Sequence, residues 1–168
     1  MRALKAAEQS QYLTFVLGGE MFAIGILAIK EIIEFDKLTS VPMMPRFVRG
    51  VINLRGAVVP VVDLSARFGR AITTASKRTC IVIVEVAAEE GAQVIGVLVD
   101  AVNEVLDIAD TEIEPAPAFG ARVRSDFIAG MGKVAGKFVI ILSVDHVLSA
   151  SEMGELVDTV ASPEEALA

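Results

Sequence analysis

The chain has 168 residues, 54% of them hydrophobic, and a net charge of −7, enough for one ordinary domain or two small ones with a real core. No apolar run approaches the roughly 18 residues of a membrane-spanning helix, and the acidic balance argues against nucleic acid or anionic lipid as the main partner. The last 19 residues hold Glu152, Glu155, Asp158, Glu164 and Glu165 with no lysine or arginine, so most of that charge sits in a tail. The opening "MRALKAAEQSQY" has no apolar core of a secretory signal, and the single cysteine, Cys80, cannot form an internal disulfide. Both features point to a reducing cytoplasm.

In chain order, "YLTFVLGGEMFAI" alternates and turns at Gly18-Gly19, a hairpin signal. "IGILAIKEIIEF" has helical spacing at Ile26, Ile29, Ile32 and Ile33, but its β-branched content favours strand with a turn near Ala28. After the Pro-rich "SVPMMPRFVRG", the segments "VINL" and "AVVPVVDL" read as strands around an Arg55-Gly56 turn. Pro60 has no N–H for a ladder, so its strand should be an edge or bulged there. Residues 70–79 read as a linker, followed by "CIVIVEV", the turn "AAEEGAQ", "VIGVLVD" and "VNEVLDI". A second Pro-containing stretch, "IEPAPAFGARVRSDF", leads to "IAGMGKVAGKFVIILSV". Strands apolar throughout are buried on both faces or wrap a small barrel. Last, Met153, Leu156, Val157 and Val160 have helical spacing behind a Ser149/Glu152 capping box, with Gly154 weakening that helix.

An internal repeat runs through this order. "IKEII" with Glu31 resembles "VNEVL" with Glu104 at an offset of 73, and "FVRGVINLRGAVVPVVDL" resembles "FIAGMGKVAGKFVIILSVDHVL", with Gly50 against Gly130, at an offset of 80. Each half ends in a valine-rich strand closed by an aspartate. The expected organisation is all-β: one small β-barrel over residues 12–75, a related one over 76–148, a C-terminal helix over 149–161 and a flexible acidic tail over 162–168.

The search for chemistry is negative. A metal site would have to rest on His146 or on carboxylates scattered through turns. His146 reads as structural or solvated, and Cys80, opening a valine-rich strand, as a buried inert thiol. "GMGKVAG" has neither phosphate-loop spacing nor a Ser/Thr after Lys137, and strands flank it where a helix should begin. With no nucleophile, base and orienter set, the expectation is a non-enzyme without metal or cofactor. The question left by the residues is Arg55, a guanidinium set between two apolar strands: a solvated turn residue, or one presented to a partner.

The blocks "FAIGILAIKEII", "VPMMPRFVRGVINLRGAVVPVVDLSARF", "VIGVLVDAVNEVL", "IEPAPAF" and "FIAGMG…FVIILSVDHVL" resemble, in this order, the CheW family of chemotaxis coupling proteins over about residues 12–150. The resemblance implies two five-stranded SH3-like barrels around a shared apolar interface. It implies a cytoplasmic, non-enzymatic scaffold that links the signalling tip of a chemoreceptor's coiled coil to the regulatory domain of the histidine kinase CheA, in rings or arrays at the membrane without inserting into it. It places partner-binding residues at Arg55, Glu31, Ile29 and Gly50, with Asn53 and Val58 beside the same turn, and structural turns at Gly56 and Gly130. The rivals are a CheW-like adaptor of another receptor–kinase pathway, such as surface motility, and a small-ligand barrel using the groove between the halves, which would need convergent polar groups there.

Overall fold

The computed structural model describes residues 9–88, 91–115 and 127–148. Three hairpins in it close alike. Gly18-Gly19, Arg55-Gly56 and Ala135-Gly136 each carry two consecutive positive φ angles (+55° and +84°, +54° and +89°, +52° and +81°). Two such residues make the type I′ turn, whose twist matches that of the strands it joins. The strands are β1 (Gln9–Leu17), β2 (Glu20–Gly25), β3 (Ile29–Glu34), β4 (Val48–Leu54), β5 (Ala57–Asp63), β6 (Cys80–Ala88), β7 (Gly91–Val99), β8 (Ala101–Ala109), β9 (Ile113–Glu114), β10 (Ile128–Val134) and β11 (Lys137–Leu142). Single helical turns, α1 (Leu64–Arg67) and α2 (Val144–Val147), follow β5 and β11. The segment with two readings resolves as a 3₁₀ turn over Ile26–Ala28 feeding β3.

The fold is all-β, in two sheets ordered β8-β1-β2-β11-β10-β9 and β3-β6-β7-β5-β4. The first is a five-strand ladder extended by the two-residue β9. β2 and β11 run parallel, as do β5 and β7. The halves 12–75 and 76–148 are not the units of pairing. β1 and β2 lie in the sheet built from β8 to β11, while β6 and β7 lie in the sheet built from β3 to β5. Each half lends its leading hairpin to the other, so residues 70–79 are no boundary; Thr73 and Thr79 in that stretch are buried. The exchange explains strands apolar on both faces. Ile81, Ile83, Leu98 and Val61 form a cluster on one face of their sheet, and Ala23, Ile108, Val139 and Ile141 form its counterpart in the other. A larger cluster, including Phe15, Phe22, Val82, Val84, Val97 and Phe127, draws on both sheets.

Pro60 sits where it removes no ladder bond. Its cross-strand partner is Val51, three steps from the closing pair Leu54–Ala57. Alternation from that hydrogen-bonded pair makes Pro60 a non-hydrogen-bonded position, and pairing with β7 begins only at Val61. The repeat persists in the backbone: both Gly50 and Gly130 lie at register shifts within their hairpins. Gly130 is therefore a buried, paired residue of β10 next to the bulge at Ala129 and not a turn, whereas Gly56 is in one. The aspartate taken to end the second half is displaced as well. Position 143, 80 after Asp63, is a serine, and Asp145 lies inside α2. The expected helix 149–161, the tail 162–168 and the stretch 116–126 lie outside the described residues.

Candidate functional site

Arg55 occupies the first position of the β4–β5 turn. The Gly56 N–H donates to Asn53 Oδ1 at 2.8 Å, locking the loop from within. The guanidinium reaches across to β3: Arg55 Nη1 lies 2.7 Å from Glu31 Oε2, and Nη2 donates to Glu31 Oε1 at 2.9 Å. This is the two-pronged geometry that makes arginine–carboxylate pairs directional. β3 and β4 are opposite edges of their ladder, so the pair spans the opening between the sheet's two edges. The hydrogen bond from Arg55 holds the Glu31 carboxyl below its ordinary range, with partial desolvation working against it. Glu31 in turn raises the Arg55 guanidinium further. The side chain of Arg55 remains 70% exposed and that of Glu31 28%.

The fork is thus exposed to solvent yet already bonded to the chain's own carboxylate, so a partner's carboxylate would have to displace Glu31. Of the six expected partner-binding residues, Arg55, Glu31, Asn53 and Val58 gather at this end of the sheet. Val58, across the ladder from Asn53, is 66% exposed. The other two do not join them at the surface. Ile29 is half-buried against the shared cluster. Gly50 is buried, with φ +150°, and a Cβ there would collide with the Thr39 carbonyl oxygen. That close approach lets Thr39 and Val51 exchange two backbone hydrogen bonds of 2.9 Å.

Two further features had no signal in spacing. Asp63, fully buried, accepts from Arg49 Nη1 at 2.8 Å, from the Thr73 N–H at 2.8 Å and hydroxyl at 3.0 Å, and from the Ala66 N–H at 3.3 Å as N-cap of α1. Arg67, half-buried, bonds the second half of the chain. At the repeat-related end of the other sheet Ala135 replaces Arg55, and Phe138, 53% exposed, replaces Val58. A hollow of about 180 Å³ opens there, lined by Thr14, Met21, Glu104, Leu106, Val134 and Phe138 among others, below the roughly 300 Å³ at which small-ligand pockets begin. A wider groove of about 650 Å³ runs between the β1–β2 turn and the end of α1, past Glu20, Phe68 and Arg70. Arg70 Nη2 lies 2.5 Å from Glu20 Oε1 across it.

Among the described residues, no three His, Cys, Asp or Glu side chains group as metal ligands, and no helix is long and apolar enough to cross a membrane. Cys80 Sγ donates to the Arg78 carbonyl at 3.4 Å, and exposed His146 places Nδ1 2.7 Å from Ser143 Oγ.

Comparison with known proteins fits this architecture. The CheW-like domain matches residues 11–152. The chain is 34% identical to the chemotaxis protein CheW of Klebsiella aerogenes over 151 residues, covering 90% of this chain and 88% of that one. It is 34% identical over 142 residues to chemotaxis protein CheW of Rhizobium meliloti, covering 84% and 89%. Protein FrzA of Myxococcus xanthus is 25% identical over 134 residues, covering 80% and 81%. The crystal structure of the scaffolding protein TtCheW from Thermoanaerobacter tengcongensis superposes with a TM-score of 0.75 at 34% identity, covering 83% of this chain and 88% of that one. With the match running through both sheets and through the Arg55 hairpin, the chain belongs to the CheW family of chemotaxis adaptor proteins.

Proposed function

We propose that this protein is a cytoplasmic, non-enzymatic scaffold that couples the tip of a chemoreceptor's coiled coil to the regulatory domain of the histidine kinase CheA, within arrays held at the membrane by the receptors. The observation that carries the reading is family membership across nearly the whole chain. The helical tip is assigned to the groove past Phe68, beside the Arg70–Glu20 pair. The two sheet ends differ, one capped by the Arg55–Glu31 pair beside Val58 and the other opening at Phe138. Unlike ends favour heterologous, head-to-tail contacts, which close into rings when the rotation permits. Weak single contacts then gain by avidity.

Because Glu31 fills the fork, the partner is taken to meet the ion pair as a unit. Arg55→Ala and Glu31→Ala should each weaken assembly by roughly tenfold or more, the loss typical of a central interface residue, and the exchanged pair Arg55→Glu/Glu31→Arg should recover part of it. Tighter binding by Glu31→Ala would show instead that a partner carboxylate competes for Arg55. The direct test is co-sedimentation with receptor-containing membranes, with and without kinase. Retention in the pellet that depends on receptor and rises with kinase supports the scaffold; recovery only in the supernatant in both arms refutes it.

A further inference from the structure

The repeat offset of 80 runs through the turns that end each half. The Asp63 N–H donates to the Phe47 carbonyl at 2.7 Å, and the Ser143 N–H donates to the Phe127 carbonyl at 2.8 Å; 47 and 127, like 63 and 143, are repeat partners. These bonds anchor the bases of the β4–β5 and β10–β11 hairpins, whose far ends carry Arg55 and Phe138. Arg67 lies between the two anchors. Its guanidinium carbon is 4.9 Å from the Phe47 ring centroid and 4.9 Å from that of Phe127. Its Nε–H donates at 2.9 Å to the carbonyl of Val147, which is the repeat counterpart of Arg67 itself. One side chain therefore touches both members of a repeat-related pair and the backbone at its own equivalent position.

The shared cluster around it is apolar, and apolar contact has no preferred direction. A planar cation placed against two rings while donating a hydrogen bond has a definite orientation. We propose that Arg67 is a positioning residue that fixes the angle between the two sheets, and with it the angle between the Arg55–Glu31 end and the Phe138 end. The step from a fixed angle to ring closure rests on the scaffold reading; the angle itself does not.

The test uses the full chain with Cys80→Ala and spin labels at two exposed sites, Glu34→Cys on β3 and Lys133→Cys on β10, and reads the inter-label distance distribution by pulsed electron resonance. The parent should give a narrow distribution. Arg67→Met, which keeps an apolar stem but loses the stack and the hydrogen bond, should broaden or displace it. Arg67→Lys, which keeps the charge but not the plane, should fall between. An Arg67→Met distribution with the parent's centre and width overturns the proposal. Should that variant fail to fold, Arg67→Lys and Phe47→Leu carry the comparison, and parent-like distributions in both overturn it equally. In a second arm, Arg67→Met should bind an isolated kinase regulatory domain as the parent does, while assembly into closed rings falls by on the order of tenfold. If the parent binds no kinase domain, the scaffold reading fails and the distance result still decides the role of Arg67.

Discussion

Asp63→Ala removes an acceptor to which four donors converge from β4, α1 and the 71–73 segment. Two losses compound. Arg49 Nη1, 2.8 Å away in the parent, keeps only its 3.0 Å bond to the Thr73 carbonyl, and breaking a buried pair from one side costs about 3–5 kcal/mol. α1 also loses its N-cap, worth about 1 kcal/mol. The contributions share one carboxylate and do not simply add, so about 3–5 kcal/mol is the expected total. For a chain of this size each kcal/mol moves the melting temperature by about 2–4 °C, which puts the shift at roughly 6–20 °C. Thermal unfolding followed by circular dichroism measures it, with Asp63→Asn as control. The amide still offers an oxygen to the Thr73 and Ala66 donors but turns an N–H₂ or a neutral oxygen toward Arg49, so its loss should be smaller. A melting temperature lowered by less than about 2 °C in Asp63→Ala would refute the view that these four bonds hold the end of β5 together.

Gly50→Ala should destabilise by about 2 kcal/mol or more, since its positive φ and the Thr39 carbonyl both oppose a Cβ; Gly130→Ala should cost less, because its nearest obstacle is the Ile113 side chain on the two-residue β9, and denaturant midpoints of the two variants compare them. With strands exchanged between halves, urea unfolding should be one transition by both fluorescence-label and circular-dichroism probes, and two separated steps would contradict the shared core. Glu31, whose folded pKa is depressed by Arg55, should titrate below its ordinary 4.5 by carboxyl-carbon magnetic resonance and move upward in Arg55→Ala. The sign follows: the pair's stabilisation is present above the ordinary pKa and is lost as pH falls through the depressed one.

Hairpins, all-β class and the duplication were legible because each has a local signature: paired turn residues, period-two or continuous apolar runs, and glycines at equal spacing. Which strands pair was not. Val82 and Val84 face the shared cluster while Ile81 and Ile83 face the cluster within their own sheet, so the run "IVIV" looks alike from either side. A strand with one apolar face names that face as inward, but a strand apolar on both names neither its neighbours nor its sheet. Two halves with the same pattern are the extreme case. A hairpin that fits its own half fits the other equally well, and contiguous barrels and exchanged hairpins then share one sequence pattern. Parallel pairing of β2 with β11 and of β5 with β7 separates them, and such contacts leave no trace in spacing.

The site shows the same division. That Arg55 projects from a tight turn followed from an arginine before glycine between apolar strands, and Glu31 and Val58 were found at the same end. What holds the guanidinium did not follow, because Glu31 is 24 residues away on the far edge of the ladder. Two charges on strands that never pair become neighbours only if the sheet's edges approach, a property of its curvature. For the proposed scaffold role, the consequence is a change in what a partner would meet at this end. A free fork would seek an acid and bind it through full desolvation of both charges. A fork already closed on Glu31 offers instead an ion pair of nearly zero net charge edged by Val58 and still open to solvent at Arg55. Under the proposed scaffold role, such a surface favours partners that complement its shape and its dipole over those that bring only negative charge.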